Sequence, residues 1–238
     1  MTLPRQPKEA APAGAVFFSA PGEAWTRQLR YRVGHLWVLK MLSTMGAIAA
    51  FFYAYFWVMR HPLAGMTVMP LTWLDRVIGF EPLSFPLYVL LWVYVSLGTA
   101  LARDFRELAA FGLGSLAMSL VGFAIFMLMP TRVPDFPIDW SLHPSIEFLK
   151  QADVGGNAFP SLHAAFSVLT ACVLNAHFKA IGAPRWLRVG NLLLCAGILY
   201  STMATRQHVA LDAFAGALLG GAGWFAYLRA LRRSRADE

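Results

Sequence analysis

The amino-acid sequence predicts an all-α fold, an integral membrane bundle of six transmembrane helices with one short interfacial helix. Three observations predict it. Charged residues fill 14% of the 238 positions and hydrophobic residues 58%, where a soluble domain carries roughly 25% charged, so much of this surface meets lipid. Six apolar stretches recur, near 35–58, 84–102, 108–129, 161–178, 188–204 and 208–228, each of a length suited to crossing a bilayer. The basic residues, finally, are sorted to one side of those stretches.

Three segments follow. Residues 1–33 form a basic N-terminal segment, 34–230 one membrane domain, and 231–238 a basic tail. Positions 1 to about 15 are rich in Pro and Ala, a composition expected to stay disordered. Positions 16–33 mix Phe17, Phe18, Trp25, Leu29 and Tyr31 with Arg27, Arg30 and Arg32, which suits a segment lying on an anionic membrane surface; a loose basic tail is the alternative.

The first span carries Lys40 near its start, where the side chain is expected to snorkel to the headgroups. It ends on Phe51, Phe52, Tyr53, Tyr55, Phe56 and Trp57, residues that favour the lipid–water interface. Residues 60–83 are too broken by proline and charge to cross. Leu71, Leu74, Val77 and Ile78 recur there at helical spacing, which predicts a short helix lying flat. Arg103-Asp104-Phe105-Arg106-Glu107 turns the chain into the third span, where Gly112, Ser115, Ser119 and Gly122 admit close helix neighbours. A proline-rich loop of about thirty residues, 130–160, is long enough to be functional in its own right. Cys172 and Cys195 fall inside apolar runs without CxxC spacing, as small buried hydrophobes do.

Six spans put both termini on one side. That side holds Arg5, Lys8, Arg27, Arg30, Arg32, Arg103, Arg106, Lys179, Arg185, Arg188, Arg229, Arg232, Arg233 and Arg235. The other side holds Arg60, Arg76, Arg132, Lys150 and Arg206. Basic loops stay in the cytoplasm. In a bacterial inner membrane the termini are then cytoplasmic and the opposite loops face the periplasm. The net charge of +7 is explained by topology, with no need for a nucleic-acid partner.

Two stretches at the outer mouths carry the chemistry. In the first, His208 and Asp212 stand one turn apart on one helix face. A carboxylate there accepts the proton of one imidazole nitrogen, fixes the tautomer and frees the other nitrogen to attack; a purely structural His–Asp pair is the alternative. Gly216 and Gly220 continue the same stripe, leaving room for another helix. In the second, Pro160-Ser161-Leu162-His163 opens the fourth span. A helix start offers free N–H groups and a positive dipole end to phosphate, Ser161 adds a hydroxyl, and His163 sits just inside. A capped helix with an interfacial histidine is the alternative there. Arg132 and Arg206 lie beside these mouths, and guanidinium groups hold phosphate bidentately; a lone interfacial arginine also serves as a headgroup anchor. Together the set suits phosphoryl transfer, in which positioning and charge stabilisation do most of the catalysis. No cofactor or metal is expected. Mg²⁺ or Ca²⁺ would want more carboxylates, and the arginines repel a cation. His35 and His177 fall on the cytoplasmic side, and His61 and His143 face outward but have no neighbours at a fixed spacing.

The motifs resemble those of the type 2 phosphatidic acid phosphatase superfamily, the lipid phosphate phosphatases, whose pattern runs K-x6-R-P, P-S-G-H, S-R-x5-H-x3-D. The second motif is similar to Pro160-Ser161-Leu162-His163, the third to Ser201-Thr202, then His208 and Asp212. The resemblance spans roughly residues 60–225. Ile125 stands where the motif lysine would be, Val133 separates Arg132 from Pro134, and Thr202 replaces the third-motif arginine, with Arg206 further on. The wording Asn157-Ala158-Phe159-Pro160-Ser161-Leu162-His163 resembles the branch that includes inositol-phosphorylceramide synthases. The resemblance implies a membrane enzyme acting on a lipid phosphate monoester or diphosphate through a phosphohistidine, without metal. His208 would be the nucleophile, Asp212 its orienting partner and His163 the acid and base. Arg132, Arg206, Ser161 and the backbone N–H groups at the start of the fourth span, Leu162 among them, would hold the phosphoryl oxygens. Headgroup transfer between lipids is the second implication. A non-catalytic transporter would need polar residues along the spans, and few are present.

Overall fold

The computed structural model describes residues 25–152 and 155–236. The expected disordered stretch 1–15, most of the basic surface segment before Trp25, and the last two residues of the tail lie outside the described residues. Ten α-helices carry the described chain: α1 (Trp25–Gly34), α2 (Trp37–Arg60), α3 (Trp73–Val77), α4 (Phe85–Val89), α5 (Leu91–Ala100), α6 (Phe105–Leu128), α7 (Pro144–Ala152), α8 (Leu162–Ala180), α9 (Arg185–Ala204) and α10 (Ala210–Ala236). The all-α membrane bundle is the observed architecture. Five helical runs are long and apolar enough to cross a membrane: α2, the α4–α5 run from Pro82 to Ala100, α6, α9 and α10 up to Arg233.

The expected fourth span is α8, and it differs from the other five. It packs against α5, α6, α9 and α10. It buries Leu162, Ala165, Leu169, Val173, Leu174 and Phe178, and with them Ser167, Thr170 and His177. A helix wrapped by protein does not have to be apolar all round, which explains why it can carry polar residues that a lipid-facing helix would not. Two buried clusters meet on it. One joins Val58, Phe111, Met118, Phe126, Leu162, Leu169 and Tyr227. The other joins Leu91, Tyr94, Leu174, Phe178, Cys195 and Ile198.

Close backbone approach fixes α8 against α10. A Cβ placed on Gly216 would lie 2.1 Å from the carbonyl oxygen of Ser161, and one on Gly220 2.4 Å from that of Ala165. The glycine stripe therefore seats α8 directly, as its spacing predicted. On α6 the expectation needs correction. Gly122 does meet Leu162, but Gly112 faces open space, and Gly114 is the glycine that approaches the carbonyl of Gly223.

Other expectations shift where a residue meets protein instead of lipid. Lys40 does not snorkel. It is buried, its ammonium donating to the main-chain oxygens of Arg32 and Ala100, the latter at the C-terminal end of α5, where a cation is favoured. Of the α2 aromatics, Phe51 and Tyr55 pack inward, stacked 5.8 Å apart, while Tyr53 is exposed. The interfacial helix is a single turn and a half, α3. Leu74 and Ile78 face the bundle, whereas Leu71 and Val77 are exposed. The long 130–160 loop is partly structured: Thr131–Arg132 pairs in parallel with Thr67–Val68, Trp140–Leu142 forms a 3-10 turn, and α7 follows.

The end of the bundle away from the histidine motifs holds a buried ionic cluster. Arg32 Nη1 donates to Glu107 Oε2 at 2.9 Å and to the Leu101 carbonyl at 3.0 Å, and it lies 3.2 Å from His177 Nδ1. This cluster locks α1 onto α6 and α8.

Candidate functional site

Each half of the site is shaped by its own local sequence. Proline at 160 and serine at 161 start α8, with Ser161 Oγ accepting the N–H of Ala164 at 3.2 Å, a conventional N-cap. The strand-like approach Asn157-Ala158-Phe159 is pinned to Thr131: Ala158 N–H donates to its carbonyl and Phe159 N–H to its Oγ1 at 2.8 Å. The Asn157 amide donates to the hydroxyl of Tyr55. The Phe159–Pro160 peptide is cis.

The other half is the α9–α10 turn. Arg206 has φ 57, the left-handed region where glycine is usual. Arg206 N–H donates to the Met203 carbonyl at 3.0 Å, and Gln207 N–H to that of Thr202 at 3.1 Å. That is the Schellman pattern, with arginine in place of glycine. His208 N–H also donates to Thr202 O, at 3.0 Å, so the histidine backbone is tied to the end of α9. α10 then begins with Asp212 Oδ2 accepting the Val209 N–H at 2.9 Å.

The two halves meet. The His163 and His208 rings are 5.7 Å apart, centroid to centroid, tilted by 54°. Ser161 N–H donates to the Asp212 carbonyl at 3.0 Å. His208 Nδ1 lies 3.1 Å from the Ala158 carbonyl and 3.8 Å from Asp212 Oδ2. A carbonyl only accepts, so this hydrogen bond requires the proton on Nδ1 and leaves a lone pair on Nε2. The expected Asp212 hydrogen bond to the imidazole is thus replaced by one to a main-chain oxygen, with the carboxylate still 3.8 Å from the same nitrogen. His163 stacks on Tyr88 at 4.5 Å and stands edge-on to Trp92 at 6.0 Å. Its Nε2 and Asp212 Oδ1 are buried without a hydrogen-bond partner.

Two helix N-termini converge here, and they are not alike electrostatically. The α10 start is answered by two carboxylates, Asp212 on Val209 N–H and Asp75 on Ala210 N–H at 2.7 Å. The α8 start is capped by the neutral hydroxyl of Ser161. Its positive end is the one left for an anion. Ser161 itself is fully buried and Leu162 nearly so, and both the N–H and the hydroxyl of Ser161 are engaged, with the Asp212 carbonyl and the Ala164 N–H.

The two arginines stand apart from the imidazoles. Arg132 is ion-paired with Asp135 at 3.0 Å and about two-fifths exposed. It lines an open cleft of about 450 Å³ with Asn157, Ala158, Gln207, Glu147 and Lys150. Ala158 is the wall shared between this cleft and His208. Arg206 donates through Nη1 to the Asp75 carbonyl at 3.0 Å and lies 4.7 Å from the Phe136 ring centre. Burial pulls its guanidinium below the ordinary value, with Asp75 acting the other way. Thr202, at the motif-arginine position, is fully buried.

Sequence reasoning did not find Asp75, Ala158, Thr131 or Tyr88. Only Asp75 left a signal: Thr72-x-x-Asp75 is a capping-box spacing, and both reciprocal bonds are present. Among the described residues no three His, Cys, Asp or Glu side chains gather as a metal site would require.

An α-helical membrane bundle with two imidazoles facing each other at one end defines the class of protein. The chain belongs to the PAP2 superfamily, whose family model matches residues 106–236, more than half of its length. Membership supports a phosphatase-type activity on lipid phosphates in general. No curated protein and no solved structure matches the chain.

Proposed function

We propose that this protein hydrolyses a lipid phosphate monoester or diphosphate at the outer face of the membrane through a phosphohistidine on His208. The observation that carries this reading is the facing pair itself, His163 and His208, with Nδ1 of His208 held by Ala158 and Nε2 free. His208 Nε2 attacks phosphorus in line, and the bond from phosphorus to the lipid oxygen breaks. His163 protonates the departing alkoxide. It then takes a proton from water, whose oxygen bonds to phosphorus as the phosphorus–nitrogen bond breaks, releasing inorganic phosphate and free His208. Asp212, buried just behind His208, supports the positive charge that develops on the ring. The first turn of α8 holds the phosphoryl oxygens, with Arg132 at the rim. The distribution of Lys and Arg supports cytoplasmic termini and a site facing outward, periplasmic in a bacterial inner membrane.

A second reading is headgroup transfer, as in the inositol-phosphorylceramide synthase branch, with a lipid hydroxyl replacing water. The cleft behind Ala158, lined by Arg132, Glu147 and Lys150 as well as by Phe136 and Trp140, favours it. A phosphate monoester has no group beyond phosphorus to fill that space, whereas a headgroup does, and the cleft falls in the size range of ligand sites.

The test uses purified protein in lipid micelles with EDTA, a panel of lipid phosphates, and His208→Ala as control. Inorganic phosphate released by the wild type and lost in the control supports hydrolysis. New phospholipid without free phosphate selects transfer. Strict Mg²⁺ dependence would sink the mechanism.

A further inference from the structure

One carboxylate beside the site has no part in the chemistry above. Asp75 is only 2% exposed, on a helix too short to be stable by itself. Its Oδ1 accepts the N–H of Ala210, two residues past His208, at 2.7 Å. Its Oδ2 accepts both the N–H and the hydroxyl of Thr72, each at 2.7 Å. Its main-chain oxygen accepts from Arg206, two residues before His208. The turn that carries the nucleophile is therefore gripped on both flanks by one residue more than a hundred positions away.

The same short helix also touches the other half of the site. Leu74 and Ile78 pack with Ala164, Met203 and Ala213, and Ala164 follows His163 directly. Downstream of α3, Glu81 N–H donates to the Ala204 carbonyl at 2.9 Å. So α3 bridges the start of α8, the end of α9 and the start of α10. These are the three backbone segments whose relative placement sets the separation of the two imidazoles. Arg206 holds a left-handed conformation unfavourable for a non-glycine residue, and strained backbone of this kind persists where surroundings over-determine it.

We propose that Asp75 is a positioning residue for the phosphoryl transfer, clamping the His208 turn onto α8 through Ala210 and Arg206. The proposal rests on the hydrolytic reading above. An asparagine cannot replace it. Its single oxygen serves either Ala210 N–H or the Thr72 pair, and its amide would face a donor on the other side.

The experiment compares the full-length wild type with Asp75→Asn and with Thr72→Val, which removes only the hydroxyl that steadies Oδ2. Three quantities are read in micelles: kcat and KM on the best lipid phosphate, the affinity for inorganic phosphate as a competitive inhibitor, and the His208 ring signal in ¹⁵N-histidine spectra, assigned by its loss in His208→Ala. The expected result for Asp75→Asn is a fall in kcat of about a hundredfold, the scale of an ångström's misplacement. KM and phosphate affinity stay near wild type, and the hydrogen-bonded Nδ1–H line of His208 is lost. Thr72→Val moves kcat and the ring line in the same direction by less. Phosphate affinity falling in step with kcat overturns the proposal in favour of a merely structural role. So does an unchanged ring line in the asparagine variant. Should that variant fail to fold, a Thr72→Val protein with wild-type kcat and ring line overturns it as well. A wild type that hydrolyses no lipid phosphate removes the hydrolytic reading, while the ring line still decides whether Asp75 positions His208.

Discussion

The Nδ1 of His208 is held by the main-chain oxygen of Ala158, 3.1 Å away and fifty residues earlier in the chain. Asp212, four residues later and inside α10 while His208 lies in the turn before it, comes only to 3.8 Å. The carbonyl fixes the tautomer, and the carboxylate supplies charge from behind. These tasks fall to one group in the triad arrangement that the His208-x3-Asp212 spacing suggests.

That division of labour predicts unequal mutational costs. Asp212→Asn keeps an acceptor for Val209 N–H and leaves the Ala158 bond in place, so the ring stays oriented and only the charge is lost. His208→Ala removes the proposed nucleophile. Phosphate release should vanish into background in the alanine variant. It should fall by about 10²–10⁴-fold, the range of a catalytic proton-transfer group, when His163→Gln is made. Asp212→Asn should retain measurable turnover with a folded protein. Equal loss in Asp212→Asn and His208→Ala, measured by phosphate release at saturating substrate, would return the orienting role to Asp212.

The two α10 glycines make a second comparison. A methyl on Gly216 collides with the Ser161 carbonyl, and one on Gly220 with that of Ala165. Both obstacles are backbone, so α8 and α10 must separate, at a cost of about 1–3 kcal/mol each. Ser161 adjoins the site and is bonded to the Asp212 carbonyl, whereas Ala165 lies a turn deeper. Gly216→Ala should therefore reduce kcat much more than Gly220→Ala at similar loss of thermal stability. Unfolding curves together with kinetics on the same preparations read both.

Much of the fold is legible because its signals are local. Apolar runs mark five crossing helices, Pro160 and Ser161 mark the start of α8, and the Gly216–Gly220 spacing marks the face that seats it. The histidine pair is legible in part, since each imidazole sits beside a strong helix-start signal. What could not be read is what depends on distant partners. Nothing around Ala158 announces that its carbonyl will meet an imidazole. Lys40 looks like a snorkelling residue until α1 and the end of α5 supply carbonyls for it. Nothing local announces that Arg206 will donate through Nη1 to the Asp75 carbonyl with the Phe136 ring beside it. Asp75 is the intermediate case: its capping box is written locally, but its bond to Ala210, 135 residues away, is not.

Arg132 and Arg206 should separate by experiment for the same reason. Arg132 makes one exposed ion pair, worth about 0–1 kcal/mol, so Arg132→Ala should leave thermal stability intact and raise KM for the lipid phosphate. Arg206→Ala loses a charge-assisted hydrogen bond, worth about 1.5–3 kcal/mol, while keeping the strained backbone. Arg206→Gly loses the same contacts but adopts φ 57 freely, so it should be the more stable of the two. Thermal unfolding of the three variants checks the order, and a glycine variant less stable than the alanine variant would contradict the strain at this position.

The buried cluster at the opposite end provides a control on distance. His177 stands fourteen residues from His163 along α8, about 21 Å at the rise of an α-helix. Glu107 is the only carboxylate in direct contact with both Arg32 and His177 among the described residues, and it also accepts Arg103 N–H at 2.6 Å. Glu107→Gln leaves Arg32 buried with its main acceptor neutralised, beside the ammonium of Lys40. Breaking one side of a buried ion pair costs about 3–5 kcal/mol, so the unfolding temperature should fall clearly and α1 should become accessible to protease. The site residues make no contact with this cluster, and the molecules that remain folded should turn over lipid phosphate at the wild-type kcat. A kcat that falls in the folded fraction would mean that the docking of α1 is transmitted along α8 to His163, and the two ends of that helix could no longer be treated as independent.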